Sequence, residues 1–236
     1  MTIDFTNCTC IEALKEYQFD KNDDLDTYIK QNLCRLFCAL NHIDKSYLSF
    51  SNIMTQKENE EQLERVFAYE LYFQWKSIIQ YENKSITLSP EITKYYSGYS
   101  TSVYKNKFIL PDLILHDGQN SYENQLFACE IKRKSGINKK SLKKDLNSLI
   151  QCTKDSAFHY HPFKLGIFIG YNMTVEELKK LVYKLIKNKC SLQRMTNAFG
   201  LRSHKAINPN NIIFISYIGN DHPIGFFSLS QMINRS

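Results

Sequence analysis

Apolar side chains at Leu25, Ile29, Leu33, Leu36, Phe37 and Leu40 recur with the period of an α-helix and predict one over residues 23 to 42. A second stripe, Leu63, Val66, Phe67, Leu71 and Ile78, follows the capping-box sequence Thr55-Gln-Lys-Glu58 and predicts a helix reaching about Tyr81. The period then changes. The Tyr- and Ser-rich stretch from Thr87 to Tyr104 reads as a short strand with loops, and it leads into two runs rich in β-branched, aromatic and leucine residues, Lys107 to His116 and Asn124 to Lys132. A polar cluster containing Asp117-Gly118 separates them, which is a hairpin signal. Downstream, Asn138 or Ser141 opens a helix to about Cys152, with Leu142, Leu146, Leu149 and Ile150 on its inner face. Lys164 to Tyr171 has buried-strand character, and Thr174-Val-Glu-Glu177 is another capping box, opening a helix to about Lys189. Asn211 to Tyr217 reads as a further strand, followed by a turn at Gly219 and a short partner at Gly225 to Leu229.

The order helix, strands, helix, strand, helix, strand predicts an α/β sandwich in which helices cover both faces of a mixed sheet. No internal repeat or Pro/Gly-rich linker interrupts it, so one compact unit is expected. Residues 1–54 read as an N-terminal helical extension packed on a core domain of residues 55–236. At 43% hydrophobic and 13% aromatic residues, the chain can bury a core and is not of the disordered class.

A formal net charge of +6 favours an anionic partner weakly. The N-terminus lacks a signal-peptide pattern and no apolar run approaches bilayer length, which predicts a soluble protein with no membrane partner. Seven cysteines, an odd count without an export signal, suggest reduced thiols and a cytoplasmic location. Cys8 with Cys10 and Cys34 with Cys38 lack a matching second ligand pair for zinc, and read as structural. His159 and His161, flanking Tyr160, read as solvated loop residues.

The hairpin carries the chemistry. Side chains alternate along a strand, so Glu130 and Lys132 share a face, and Asp112 shares its own with Leu110 and Ile114. A hairpin centred near residues 119 to 120 sets Asp112 opposite position 126 to 128, on the Glu130 face, with the two carboxylates at a diagonal of about 7–8 Å between backbones. Apolar residues on both faces indicate a strand covered on both sides. Carboxylates there need a cation, which either Lys132 or a bound metal can supply. The simpler explanations are a plain salt bridge from Lys132 to one of the carboxylates at a strand end, or exposure of all three residues at strand termini.

Pro111-Asp112 and Glu130-Ile131-Lys132, at the ends of consecutive hairpin strands with a helix upstream and a helix–strand pair downstream, resemble the signature of the PD-(D/E)XK nuclease superfamily over roughly residues 58 to 190. The resemblance implies a restriction-endonuclease-like three-layer α/β sandwich and a metal-dependent nuclease, most readily a DNA endonuclease. It implies Mg²⁺ or Mn²⁺ held by Asp112, Glu130 and the Ile131 carbonyl, with Lys132 orienting the attacking water and stabilising transition-state charge. A further acidic residue is expected on the helix before the hairpin. Glu70, embedded in the apolar stripe where a carboxylate is unfavourable unless held, is the first choice as catalytic and metal-binding residue, and Glu64 on the flank is the second. Gln151 and Asp145 are candidates for the polar residue expected on the helix after the lysine, with neither spacing decisive.

Arg133, Lys134, Lys139, Lys140, Lys143 and Lys144 follow Lys132 without an intervening acid and read as phosphate contacts, helped by the next helix's N-terminal N–H groups. DNA is favoured over RNA by family habit, and double-strand cutting by one site per chain suggests a homodimer. Two other classes stay open: a nuclease-like module that binds nucleic acid or protein without cutting, and an interaction protein in which Lys132 is merely salt-bridged to Glu130.

Overall fold

The structure, a computed structural model, describes residues 14–15, 17–48, 60–82, 86–90, 111–117, 125–153, 162–186 and 208–233. The described elements are α1 (Asp23–Asn41), α2 (Glu60–Glu82), β1 (Ile86–Pro90), β2 (Leu113–Asp117), β3 (Gln125–Arg133), α3 (Lys139–Thr153), β4 (Leu165–Tyr171), α4 (Val175–Ile186), β5 (Ile212–Tyr217), β6 (Gly225–Ser228) and α5 (Leu229–Ile233). The capping box at Thr55, the hairpin turn, most of the Tyr- and Ser-rich stretch, Cys8, Cys10, His159 and His161 lie outside the described residues.

The strands form one mixed sheet in the order β1-β2-β3-β4-β5-β6. β1, β2 and β3 make an antiparallel meander, β3, β4 and β5 run parallel, and β6 returns antiparallel to β5. Both parallel crossovers step across the sheet in the same direction, and a common hand therefore puts α3 and α4 on one face. On that face Leu142, Leu146, Leu149 and Val182 bury Ile114, Ala128, Phe168 and Phe214. The opposite face, with Phe127, Cys129, Ile131 and Ile169, is covered by α1 and α2 through Leu33, Leu36, Phe67 and Trp75. The Phe67 ring stacks on Tyr171 at 4.0 Å between centroids. The mixed α/β architecture with helices on both faces is thus as the patterning predicts. α1 contributes to the same core as the sheet, without a gap between it and the rest.

Caps explain where the helices begin. Asn22 Oδ1 accepts the backbone N–H groups of Asp24 and Leu25 ahead of α1. The Thr174 box is reciprocal: Glu177 N–H donates to Thr174 Oγ1 at 3.2 Å and Thr174 N–H to Glu177 Oε2 at 3.0 Å. Gly166 of β4 faces α3, where an added Cβ would lie 2.9 Å from Ile212 Cδ1 and 3.0 Å from Leu149 Cβ. Its missing side chain lets α3 seat close against the sheet. Among the described residues no helix is long and apolar enough to cross a membrane.

Candidate functional site

β2 and β3 pair with Leu113 opposite Cys129. Carried one residue further, that register puts Asp112 opposite Glu130 rather than opposite positions 126 to 128, because the ladder shifts between Leu115 and His116 and the hairpin is centred later than its turn sequence suggests. The shared face is retained and the diagonal becomes a direct pair. The ladder stops here, since Asp112 Oδ2 accepts the Ile131 N–H at 2.7 Å, so a carboxylate takes the place of a strand carbonyl. Asp112, Glu130, Ile131 and Lys132 are thereby brought together at the carboxyl end of β3. In parallel sheets this is the end where ligands bind.

Glu130 is 7% exposed, and its Oε1 accepts the Ser148 hydroxyl at 2.6 Å. Burial and the neighbouring Asp112 charge push its carboxyl up to about 8, and the Ser148 bond and Lys132 offset this only in part. Asp145, one turn before Ser148 on α3, is 4% exposed, and its Oδ2 is buried with no hydrogen-bond partner. Burial pushes Asp145 up to about 6 against the pull of Lys132, with the Asp112 charge adding to the rise. Of the two polar candidates on this helix, Asp145 faces the site's charges. Ser148 was not anticipated from the sequence. The helical i,i+3 spacing of Asp145 and Ser148 was its one available signal, and it is weak without the close approach that Gly166 permits.

Lys132 Nζ donates to Glu64 Oε2 at 2.7 Å, and Glu64 Oε1 also accepts the Arg133 N–H at 3.3 Å. Burial alone would lower the ammonium's pKa, but the Glu64 bond and the charges of Glu64, Asp145 and Asp112 outweigh it and hold Lys132 above the usual lysine range. The α2 carboxylate that reaches Lys132 is therefore Glu64, the second choice, and Glu70, the first choice, is held elsewhere on the helix. Six residues of helix rotate Glu70 about 240° from Glu64 and carry it about 9 Å along the axis. There Glu70 accepts Gln74 Nε2 at 2.7 Å, and its charge raises the Tyr47 hydroxyl pKa on the far side of the helix. The level was readable from topology. Residues 83–85 alone join α2 to β1, so the helix starts beside the end of β1, at the same end of the sheet as Asp112 and Lys132. Lys132 is bonded to this acid on α2 and not to Glu130 as the plain salt-bridge reading requires.

Glu64, Arg65, Tyr69, Pro90, Asp112 and Lys132 line a cavity of about 160 Å³. The basic run lies beyond it. Lys139, Lys140 and Lys144 are exposed and Lys143 is partly so. Lys134 pairs with Glu177 at 2.7 Å, and Arg133 meets Glu64 through its backbone. The N–H groups expected to face phosphate at the start of α3 are in part engaged, because Asn138 Oδ1 accepts those of Lys140 and Ser141.

Among the described residues no three carboxylate, imidazole or thiol side chains stand close enough to form a ready metal-holding group. The donor chemistry nevertheless fits a hard divalent cation. Asp112, Glu130 and Asp145 are oxygen donors, one buried oxygen is orphaned, and burial together with the neighbouring carboxylates pushes Glu130 and Asp145 toward protonation. A cation would have to draw them together from the positions they hold. No protein-family model, curated protein or solved structure matches this chain.

Proposed function

We propose that the chain is a metal-dependent nuclease with a restriction-endonuclease-like fold, of the PD-(D/E)XK type, that hydrolyses phosphodiester bonds in nucleic acid, DNA in preference to RNA. The observation that carries the reading is the meeting of Asp112, Glu130 and Lys132 at the carboxyl end of β3, with Glu64 bonded to the lysine and the unpartnered Oδ2 of Asp145 buried nearby. The order of a helix, two hairpin strands, a helix and a parallel strand supports the same reading.

Asp112, Glu130 and Asp145 would hold Mg²⁺ or Mn²⁺, which when bound polarises a phosphate and acidifies a water. Ser148 fixes the Glu130 carboxylate by its 2.6 Å bond. Glu64 keeps Lys132 charged and directed into the cavity, where its ammonium can stabilise negative charge developing on a phosphate oxygen. The exposed lysines at the start of α3 would hold the backbone on either side through salt-sensitive contacts.

The test is cleavage of single-stranded and duplex DNA and RNA in Mg²⁺, in Mn²⁺ and in chelator, with Asp112→Asn and Lys132→Met as controls. Cutting that needs the cation and is lost in both variants supports the proposal. Folded wild-type protein that cuts none of these substrates with either cation overturns it. A non-cleaving nucleic-acid-binding module is the second reading, favoured by the carboxylates not being gathered as a metal shell.

A further inference from the structure

The outer face of α2 has an unusual composition for a surface helix. Its exposed described positions are Arg65, Tyr69, Phe73, Ser77 and Gln80, which at spacings of four and three form one stripe along the axis. A solvated stripe is ordinarily charged. None of these five described positions is a carboxylate, and they hold out Tyr69 at 53% and Phe73 at 62% exposure, two of the three large apolar side chains left exposed among the described residues. A cation flanks them, since Lys76 Nζ bonds the Tyr72 hydroxyl at 2.7 Å and lies 5.1 Å from that ring's centre.

The stripe is continuous with the site. Arg65 and Tyr69 line the same cavity as Asp112 and Lys132, and Phe73 stands one turn, about 6 Å, further out. A partner for this surface must therefore present flat apolar faces in succession and tolerate or seek positive charge, while reaching a carboxylate–lysine pocket at one end. An unpaired polynucleotide has that chemistry. Every base has a π-face free to stack on an aromatic ring, and the connecting phosphates suit Arg65 and Lys76. A closed duplex does not, because its base faces are stacked on each other. We infer that Tyr69 and Phe73 form a stacking rail that feeds an unpaired nucleic-acid strand into the Asp112–Lys132 cavity, which makes single-stranded or frayed polynucleotide the substrate class. The inference rests on the nuclease reading of that cavity.

Binding is measured by fluorescence anisotropy in chelator, so that no cutting intervenes, with a labelled mixed-sequence DNA strand, the same strand as RNA, and a duplex closed by hairpin loops at both ends. Wild-type protein should bind at least one single strand roughly tenfold or more tighter than the closed duplex. Tyr69→Ala and Phe73→Ala should each weaken that binding by about 5- to 150-fold, the range expected for loss of one base–aromatic stack. Tyr69→Trp and Phe73→Trp should retain it. Tyr69→Leu and Phe73→Leu keep apolar area without a π-face and should behave as the alanine variants. Both positions are exposed, so unchanged thermal midpoints are expected throughout.

Equal binding of strand and closed duplex overturns the rail. So does leucine variants matching wild type, or an alanine double variant that dissociates an oligomer while leaving nucleic-acid binding unchanged. The two proposals fail separately. Aromatic-dependent strand binding without cation-dependent cleavage sinks the nuclease reading and keeps the rail as a binding surface. Cleavage that ignores both aromatic substitutions sinks the rail and keeps the nuclease.

Discussion

Asp112 accepts the Ile131 N–H at 2.7 Å, so the same carboxylate that faces Glu130 also closes the β2–β3 ladder. Removing it has two separable effects. Asp112→Ala orphans a buried N–H and should cost about 1–3 kcal/mol of stability, whereas Asp112→Asn keeps an acceptor and should cost less. Urea midpoints check this. Asparagine is thus the cleaner test of chemistry, and cation-dependent cleavage should be lost in it with the fold intact.

Glu64 and Glu70 should part company in function. Glu64→Gln weakens the hold on Lys132 and should lower cleavage by an order of magnitude or more, while Glu70→Gln should stay within a few-fold of wild type. A double-mutant cycle between Glu64 and Lys132 should return a coupling on the order of 1 kcal/mol, since both side chains are mostly buried. A loss in Glu70→Gln with Glu64→Gln near wild type would return the assignment to Glu70.

Burial and Asp112 raise Glu130 to about 8 from an ordinary value of 4.5. The folded state then keeps a proton that the unfolded state gives up. In metal-free protein stability should fall as pH rises from about 4.5 to about 8 and level off above that. Glu130→Gln should flatten this slope, and added Mg²⁺ should raise the melting temperature more at pH 8 than at pH 5. Scanning calorimetry with and without chelator reads both effects.

Asp26 should set the acid limit. Burial raises its carboxyl, but Lys30 at 2.8 Å and the N–H groups of Phe19 and Asp20 outweigh that and hold it below the usual 3.8. Its contribution is therefore complete above about pH 4 and is lost as pH falls through the lowered value. Asp26→Asn should be less stable than wild type at neutral pH and show a shallower loss below pH 4 in circular dichroism.

Periodicity carried most of the architecture. α1, β4, α4 and β5 begin and end close to their apolar patterns, because their burial is one-sided or complete and their caps are local. Position along an element was harder to read. The stripe on α2 says that Glu70 lies near buried neighbours, but height relative to Lys132 depends on the short α2–β1 connection. The Asp112–Glu130 pairing depends on a ladder shift at Leu115 and His116 that no turn residue announces. Ser148 and Asp145, with its orphaned Oδ2, enter the site through the packing of α3 on the sheet, which local sequence does not encode.

β3 pairs antiparallel with β2 on one side and parallel with β4 on the other, and the second pairing must wait for a whole intervening helix. A growing chain that has emerged only as far as Arg133 already contains Asp112, Glu130 and Lys132 but lacks Ser148, Asp145 and the strand that covers the far edge of β3. Long-range parallel pairing is slow to form. Completion of the site is thereby tied to the β3–α3–β4 crossover, and a chain that stops short of it is left without Ser148, the group that holds the Glu130 carboxylate.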